Sequence, residues 1–148
     1  LHSRETAGIL GEEPTGNARA ISHQFQPIVR MRNTYIGPGT SSFDDLISDI
    51  DDGIYVINSG GGSTDHEKFQ FLAQYGRRIQ KGKLGSLVRD ISLLGNLFKT
   101  LWAIDAVADD FVTPDGAGGC GKAGQFPLPV THGGPHVRIR NCMVGGKA

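Results

Sequence analysis

The sequence has no surplus of either charge: fifteen Lys and Arg face fifteen Asp and Glu among 148 residues. A net charge near zero gives no electrostatic reason to expect nucleic acid or an anionic membrane as a direct partner. Long apolar runs are also missing, none approaching the roughly 18 residues that span a bilayer, so no transmembrane helix is expected. The first twenty residues carry Glu5, Glu12 and Glu13 where a signal peptide needs an apolar stretch. With no membrane signal, the expected location is cytoplasmic. Cysteine is scarce. Two residues, Cys120 and Cys142, make no disulfide framework, so each is judged as a thiol, a ligand or filler.

What is abundant is glycine, 22 residues, about twice average usage, grouped in loops without a collagen or solenoid period. Hydrophobic residues at 38% and charged ones at 20% describe a globular chain, and the length fits a single domain. The opening residues 1–7 show no cap and read as a cut end, and 8–26, with Gly8, Gly11, Pro14, Gly16 and Asn17, read as surface loop. Residues 27–36 predict a half-exposed strand, Val29 and Met31 on one face and Arg30 and Arg32 on the other. Ser42 precedes Phe43, Leu46, Ile47 and Ile50, the stripe of a short capped helix. A strand over 53–58 empties into Gly60–Gly62, and Phe69, Phe71, Ala73 and Tyr75 alternate with Gln70, Leu72 and Gln74 as the clearest strand. Lys81-Gly82-Lys83 marks a hairpin tip. Asn96 caps a second helix whose buried side is expected to hold Leu97, Phe98, Leu101, Trp102, Ile104 and Val107. The last third reads as glycine-rich loop until a strand over 136–144. The sum is an α+β fold, mainly β, an antiparallel sheet with two short helices.

Three groups of residues could carry chemistry. Gly116-Ala117-Gly118-Gly119-Cys120-Gly121-Lys122-Ala123 has phosphate-loop spacing, but Ala123 replaces the Mg²⁺-binding hydroxyl and the prolines of 125–129 cannot open a helix. Cys120 itself lies between glycines with Lys122 nearby, which suits a reactive or metal-binding thiol and equally suits a small residue in a tight loop. His132 and His136 have metal-pair spacing, but Gly133-Gly134-Pro135 forbids the helix that would unite them. His66-Glu67 lacks a following His at zinc-protease spacing, and Cys142 sits in a strand pattern that packing explains. A protein zinc site takes three or four donors, so any companions of Cys120 lie outside these residues or in another subunit.

Taken in order, several segments resemble the C-terminal half of the TldD/PmbA family, once called modulators of DNA gyrase. They are Ser3-Arg4-Glu5-Thr6-Ala7, Pro14 to Arg19, Pro27 to Ile36, Asp52 to Val56, Gly60–Gly62, Ile104 to Val107, Cys120 to Gln125 and Val144-Gly145-Gly146. The resemblance implies a cytoplasmic metallopeptidase of unfolded or modified peptides that acts as a complex of two related subunits. It implies Zn²⁺, held in the TldD subunit by a His-Glu-x-x-x-His helix and a cysteine in a Cys-Gly-Lys segment, to which Cys120 corresponds. The PmbA (TldE) partner lacks the metal ligands, so Cys120 aligns the chain with TldD. No His-Glu-x-x-x-His occurs in residues 1–148. The expectation is therefore a C-terminal domain fragment, 1–148, of a TldD-like subunit. It would give one zinc ligand and a sheet platform for peptide, pairing with a PmbA/TldE-type subunit or a second copy, without contact to nucleic acid or membrane. The alternative is a non-catalytic peptide-binding or assembly module.

Overall fold

A computed structural model describes residues 3–113 and 118–147, so Gly116 and Ala117 of the phosphate-loop spacing lie outside the described residues. In chain order the elements are α1 (Arg4–Leu10), β1 (Ala18–Arg19), β2 (Ile28–Val29), β3 (Thr34–Tyr35), α2 (Phe43–Ser48), β4 (Asp52–Asp65), β5 (Lys68–Gln80) and β6 (Lys83–Asn96). After them come α3 (Leu97–Trp102), β7 (Ile104–Val107), β8 (Gly118–Lys122), β9 (Gln125–Val130), β10 (His132–Gly133), β11 (Val137–Ile139) and β12 (Met143–Lys147). The fold is mainly β with short helices, as the alternation predicts. The chain forms two compact units, Leu1–Gly37 with Val112–Gly134, and Pro38–Phe111 with Pro135–Ala148.

The first unit is built from short pairings: β1 with β2 antiparallel, β10 with β3 parallel, and the β8–β9 hairpin. Helix α1, unforeseen in a stretch read as loop, starts on a capping box in which the Ser3 side chain accepts from Thr6 N. Gly11, at φ +69°, ends it in the left-handed conformation. Buried here are Ala7, Leu128 and Val130, together with the polar Asn17, Arg30 and Gln125.

The second unit carries a four-stranded antiparallel sheet, β12-β6-β5-β4, of which β4 is an edge. Its core includes Leu46, Ile47, Ile79, Ile91 and Ala108. Gly76 lets β5 approach its neighbours: a Cβ there would meet Tyr55 O at 2.6 Å and Ile91 Cδ1 at 2.5 Å. Helix α2 has the foreseen cap, Ser42, which forms a capping box with Asp45, and Lys81 with Gly82 turns the β5–β6 hairpin at positive φ.

Several expectations are corrected. Gly60–Gly62 is not a loop but the far half of β4, paired across to β5. The second helix stops at Trp102, buries none of its residues, and leaves Trp102 87% exposed; Ile104 to Val107 form β7 instead. Asn96 does cap it, accepting from Lys99 N. The expected strand over 27–36 breaks into β2 and β3, and Arg30, assigned to an outer face, is 1% exposed. A guanidinium can be buried where carbonyl oxygens surround it, and the first unit provides them.

Candidate functional site

Cys120 sits within β8, not in a loop, paired in register with Leu128 of β9. Residues opposite each other in an antiparallel pair point to the same face, so the thiol shares a face with the buried Leu128, and Cys120 itself is half-buried. The glycines beside it have a steric cause. A Cβ at Gly119 would lie 3.0 Å from the Phe126 ring and one at Gly121 3.2 Å from it, so Phe126 lies flat over the opposite face. Two glycines thus let an aromatic ring cover one side of the strand while Cys120 occupies the other. Gly118 serves the thiol's face: a Cβ there would come within 2.8 Å of His132 Nδ1, which places the imidazole over that position. Ala123 and Gly124, at φ +50° and +73°, close the hairpin.

The backbone at Cys120 is tied to the rest of the unit by Arg30. Its Nη2 donates to the Cys120 carbonyl at 2.5 Å and to the Gln125 carbonyl at 3.0 Å, while Nη1 reaches Gln125 Oε1 at 3.4 Å. Gln125, 4% exposed, also accepts from Ile21 N and donates to Gln26 O. Asn17 braces the other side of Arg30, its Nδ2 donating to Arg30 O and its carbonyl accepting from Arg30 N. Lys122, read in the sequence as a partner of the thiol, instead donates its ammonium to Val29 O at 2.8 Å. The hairpin is therefore held by charge-assisted bonds to carbonyls, those of Arg30 at least partly buried and that of Lys122 exposed.

The remaining candidates separate. His132 belongs to β10, and His136 has both ring nitrogens engaged, Nδ1 with Asp110 and Nε2 with Tyr55. His66 lies at a turn with φ +53° and bonds Asp65, 2.8 Å away. Cys142 lies between a turn and β12 rather than in a strand, and burial pushes its thiol pKa up. Among the described residues no three His, Cys, Asp or Glu side chains gather as a metal site. Cys120 offers one soft sulfur donor on a braced strand, a ligand type that suits zinc.

A family model described as the PmbA/TldA metallopeptidase C-terminal domain matches residues 1–146. The chain belongs to the TldD/PmbA family. Among curated relatives, a metalloprotease of Synechocystis sp. is 53% identical over 148 residues, 100% of this chain and 32% of that protein. A zinc metalloprotease TldD homolog of Saccharolobus solfataricus is 39% identical over 147 residues, 99% of this chain and 32% of its own. The chain thus spans about a third of the curated relatives it matches. Among solved structures, TldE from Thermococcus kodakarensis superposes at a TM-score of 0.66 with 23% identity, covering 95% of this chain and 29% of that one, a likeness of fold.

One cluster in this TldD/PmbA domain was not legible in the sequence. Asp110 accepts from His136 Nδ1 at 2.5 Å and from its backbone N at 3.0 Å, and His136 Nε2 then accepts from Tyr55 Oη at 2.7 Å. Phe43 packs on both rings, centroids 5.0 and 4.8 Å away. Burial, and secondarily the Asp110 charge, push the Tyr55 phenol up, so it stays neutral and remains a donor. Residues separated by 26 and 81 positions show no local pattern. No described helix is long and apolar enough to cross a membrane.

Proposed function

We propose that this domain serves a zinc-dependent metallopeptidase of unfolded or modified peptides, with Cys120 as one zinc ligand and the β4 edge as a peptide platform. The observation that carries the reading is the restraint on Cys120: a half-buried thiol on a strand whose carbonyl is fixed by a buried arginine. A metal ligand needs its position held by surrounding bonds, and an ordinary packing cysteine does not call for them. The other zinc donors come from residues outside 1–148. Bound zinc would act as a Lewis acid toward water and the scissile carbonyl.

Peptide binding draws support from β4. It is an edge strand, and its residues 58–65 are exposed along their length. An extended chain adding there gains main-chain hydrogen bonds whatever its sequence, which suits substrates without fixed structure. The working assembly pairs this subunit with a related TldE-type subunit or a second copy, in the cytoplasm. The test is cleavage of a denatured peptide by the full-length protein, with and without chelator. Cleavage abolished by chelator and restored by Zn²⁺ is expected, with none from residues 1–148 alone. Peptide binding without any cleavage by the assembled protein would instead favour a non-catalytic binding or assembly module.

A further inference from the structure

A second feature of the Cys120 unit concerns charge. In the other unit three arginines meet carboxylates: Arg78 with Asp52 at 3.0 Å, Arg138 with Asp105 at 2.8 Å and Arg140 with Asp105 at 2.7 Å. Four cations of the Cys120 unit are differently engaged. Arg19 donates to Met31 O and Pro129 O, Arg30 to Cys120 O and Gln125 O, Lys122 to Val29 O and Arg32 to Thr15 O. Among the described residues none of the four has a carboxylate within ion-pair distance. The buried Arg30 Nε has no hydrogen-bond partner. Carbonyl oxygens orient a cation but carry only partial charge, so they do not neutralise it as a carboxylate does.

Thr15, Asn17, Arg32, Asn33 and Thr34 line an open, polar cleft of about 340 Å³. Its lining holds no acid. Which donors face a ligand follows from the bonds already made. Thr15 gives its hydroxyl proton to Asn17 Oδ1, Thr34 gives its own to Arg32 O, and Asn17 Nδ2 is used on Arg30 O. Asn33 Oδ1 accepts from Thr131 N at 2.9 Å, which fixes the amide so that its Nδ2 protons remain. Arg32, exposed, has spent one N–H on Thr15. The donors left in the cleft are thus a guanidinium and a neighbouring amide.

We propose that this cleft binds a carboxylate of the peptide substrate, Arg32 clasping its two oxygens and Asn33 Nδ2 adding a third bond. The proposal rests on the peptide reading above. A guanidinium matches a carboxylate bidentately, where an ammonium would not. The carboxylate is either the peptide's C-terminus or an Asp or Glu side chain, and the experiment separates them.

The full-length protein is treated with chelator so that nothing is cleaved, and binding of one fluorescent unfolded peptide is read by anisotropy at low salt. The peptide is used as the free acid, as the C-terminal amide, and as the amide with one internal Glu. The free acid, or the Glu-bearing amide, should bind roughly tenfold more tightly than the plain amide, and added salt should narrow the gap. The form that wins identifies the source. Arg32→Gln should abolish the preference, and Arg32→Lys should restore part of it. Binding of all three forms with equal affinity overturns the cleft while leaving the peptide reading intact, as does a preference that persists in Arg32→Gln. Failure of every form to bind overturns both.

Discussion

Arg30 Nη2 lies 2.5 Å from the carbonyl oxygen of Cys120, a bond between residues 90 positions apart that ties the middle of β8 to the segment following β2. It is made by a side chain 1% exposed, and the same guanidinium nitrogen also serves Gln125 O. One buried cation therefore sets the strand that presents the thiol.

Replacing that cation should be costly. Arg30→Met keeps most of the volume but leaves the Cys120 and Gln125 carbonyls without their donor, and stability should fall by about 2 to 4 kcal/mol. Arg30→Lys keeps the charge, yet a single ammonium cannot span the same acceptors and should still cost about 1 kcal/mol or more. Chemical denaturation of each variant measures this. Wild-type stability in Arg30→Met would show that the bond does not hold the hairpin.

How much of this was readable beforehand depends on the range of each interaction. Ser42 with Asp45, Asn96 with Lys99 and the turn at Lys81-Gly82 lie within a few residues, and the sequence marks all of them. Cys120 in a strand was missed because glycines 118, 119 and 121 look like loop until Phe126 and His132 are placed against them from the partner segment. Arg30 looked like an outward residue because its acceptors sit 90 and 95 residues away. Trp102 looked like core because a six-residue helix that packs little of its surface has the same apolar composition as one that packs all of it.

The second unit should weaken in acid through Asp105. Hydrogen bonds from Arg138, then Arg140, hold its pKa down to about 2, against about 3.9 in an unfolded chain. A carboxyl depressed on folding contributes stability that is present above the unfolded value and is lost as pH falls through the folded one. Asp110 and Asp45 are lowered too, by bonds to His136 and to Ser42 respectively. Thermal stability should accordingly be flat near neutrality and decline between about pH 4 and pH 2, less steeply in Asp105→Asn. A decline equally steep in that variant would remove Asp105 from the explanation.

Three glycines outside the four-stranded sheet should rank by cause. Gly133 has no room, since a Cβ would meet Val112 O at 2.5 Å; Gly124 has room but φ +73°; Gly134 has neither problem, its nearest atom 4.0 Å away. Alanine should therefore cost most at 133, about 1 kcal/mol at 124, and less than about 0.5 kcal/mol at 134. Melting temperatures of the three variants give the order. Equal losses at all three would mean that neither close approach nor backbone conformation decides.

The assignment of Cys120 is tested most directly by zinc content. In the full-length protein, purified without added metal and analysed by plasma mass spectrometry, Cys120→Ser should lose most of its bound zinc. Cys142→Ser, which replaces a thiol outside the braced β8 strand, should retain the wild-type stoichiometry. Full zinc occupancy in Cys120→Ser, with the fold intact by circular dichroism, would contradict the account.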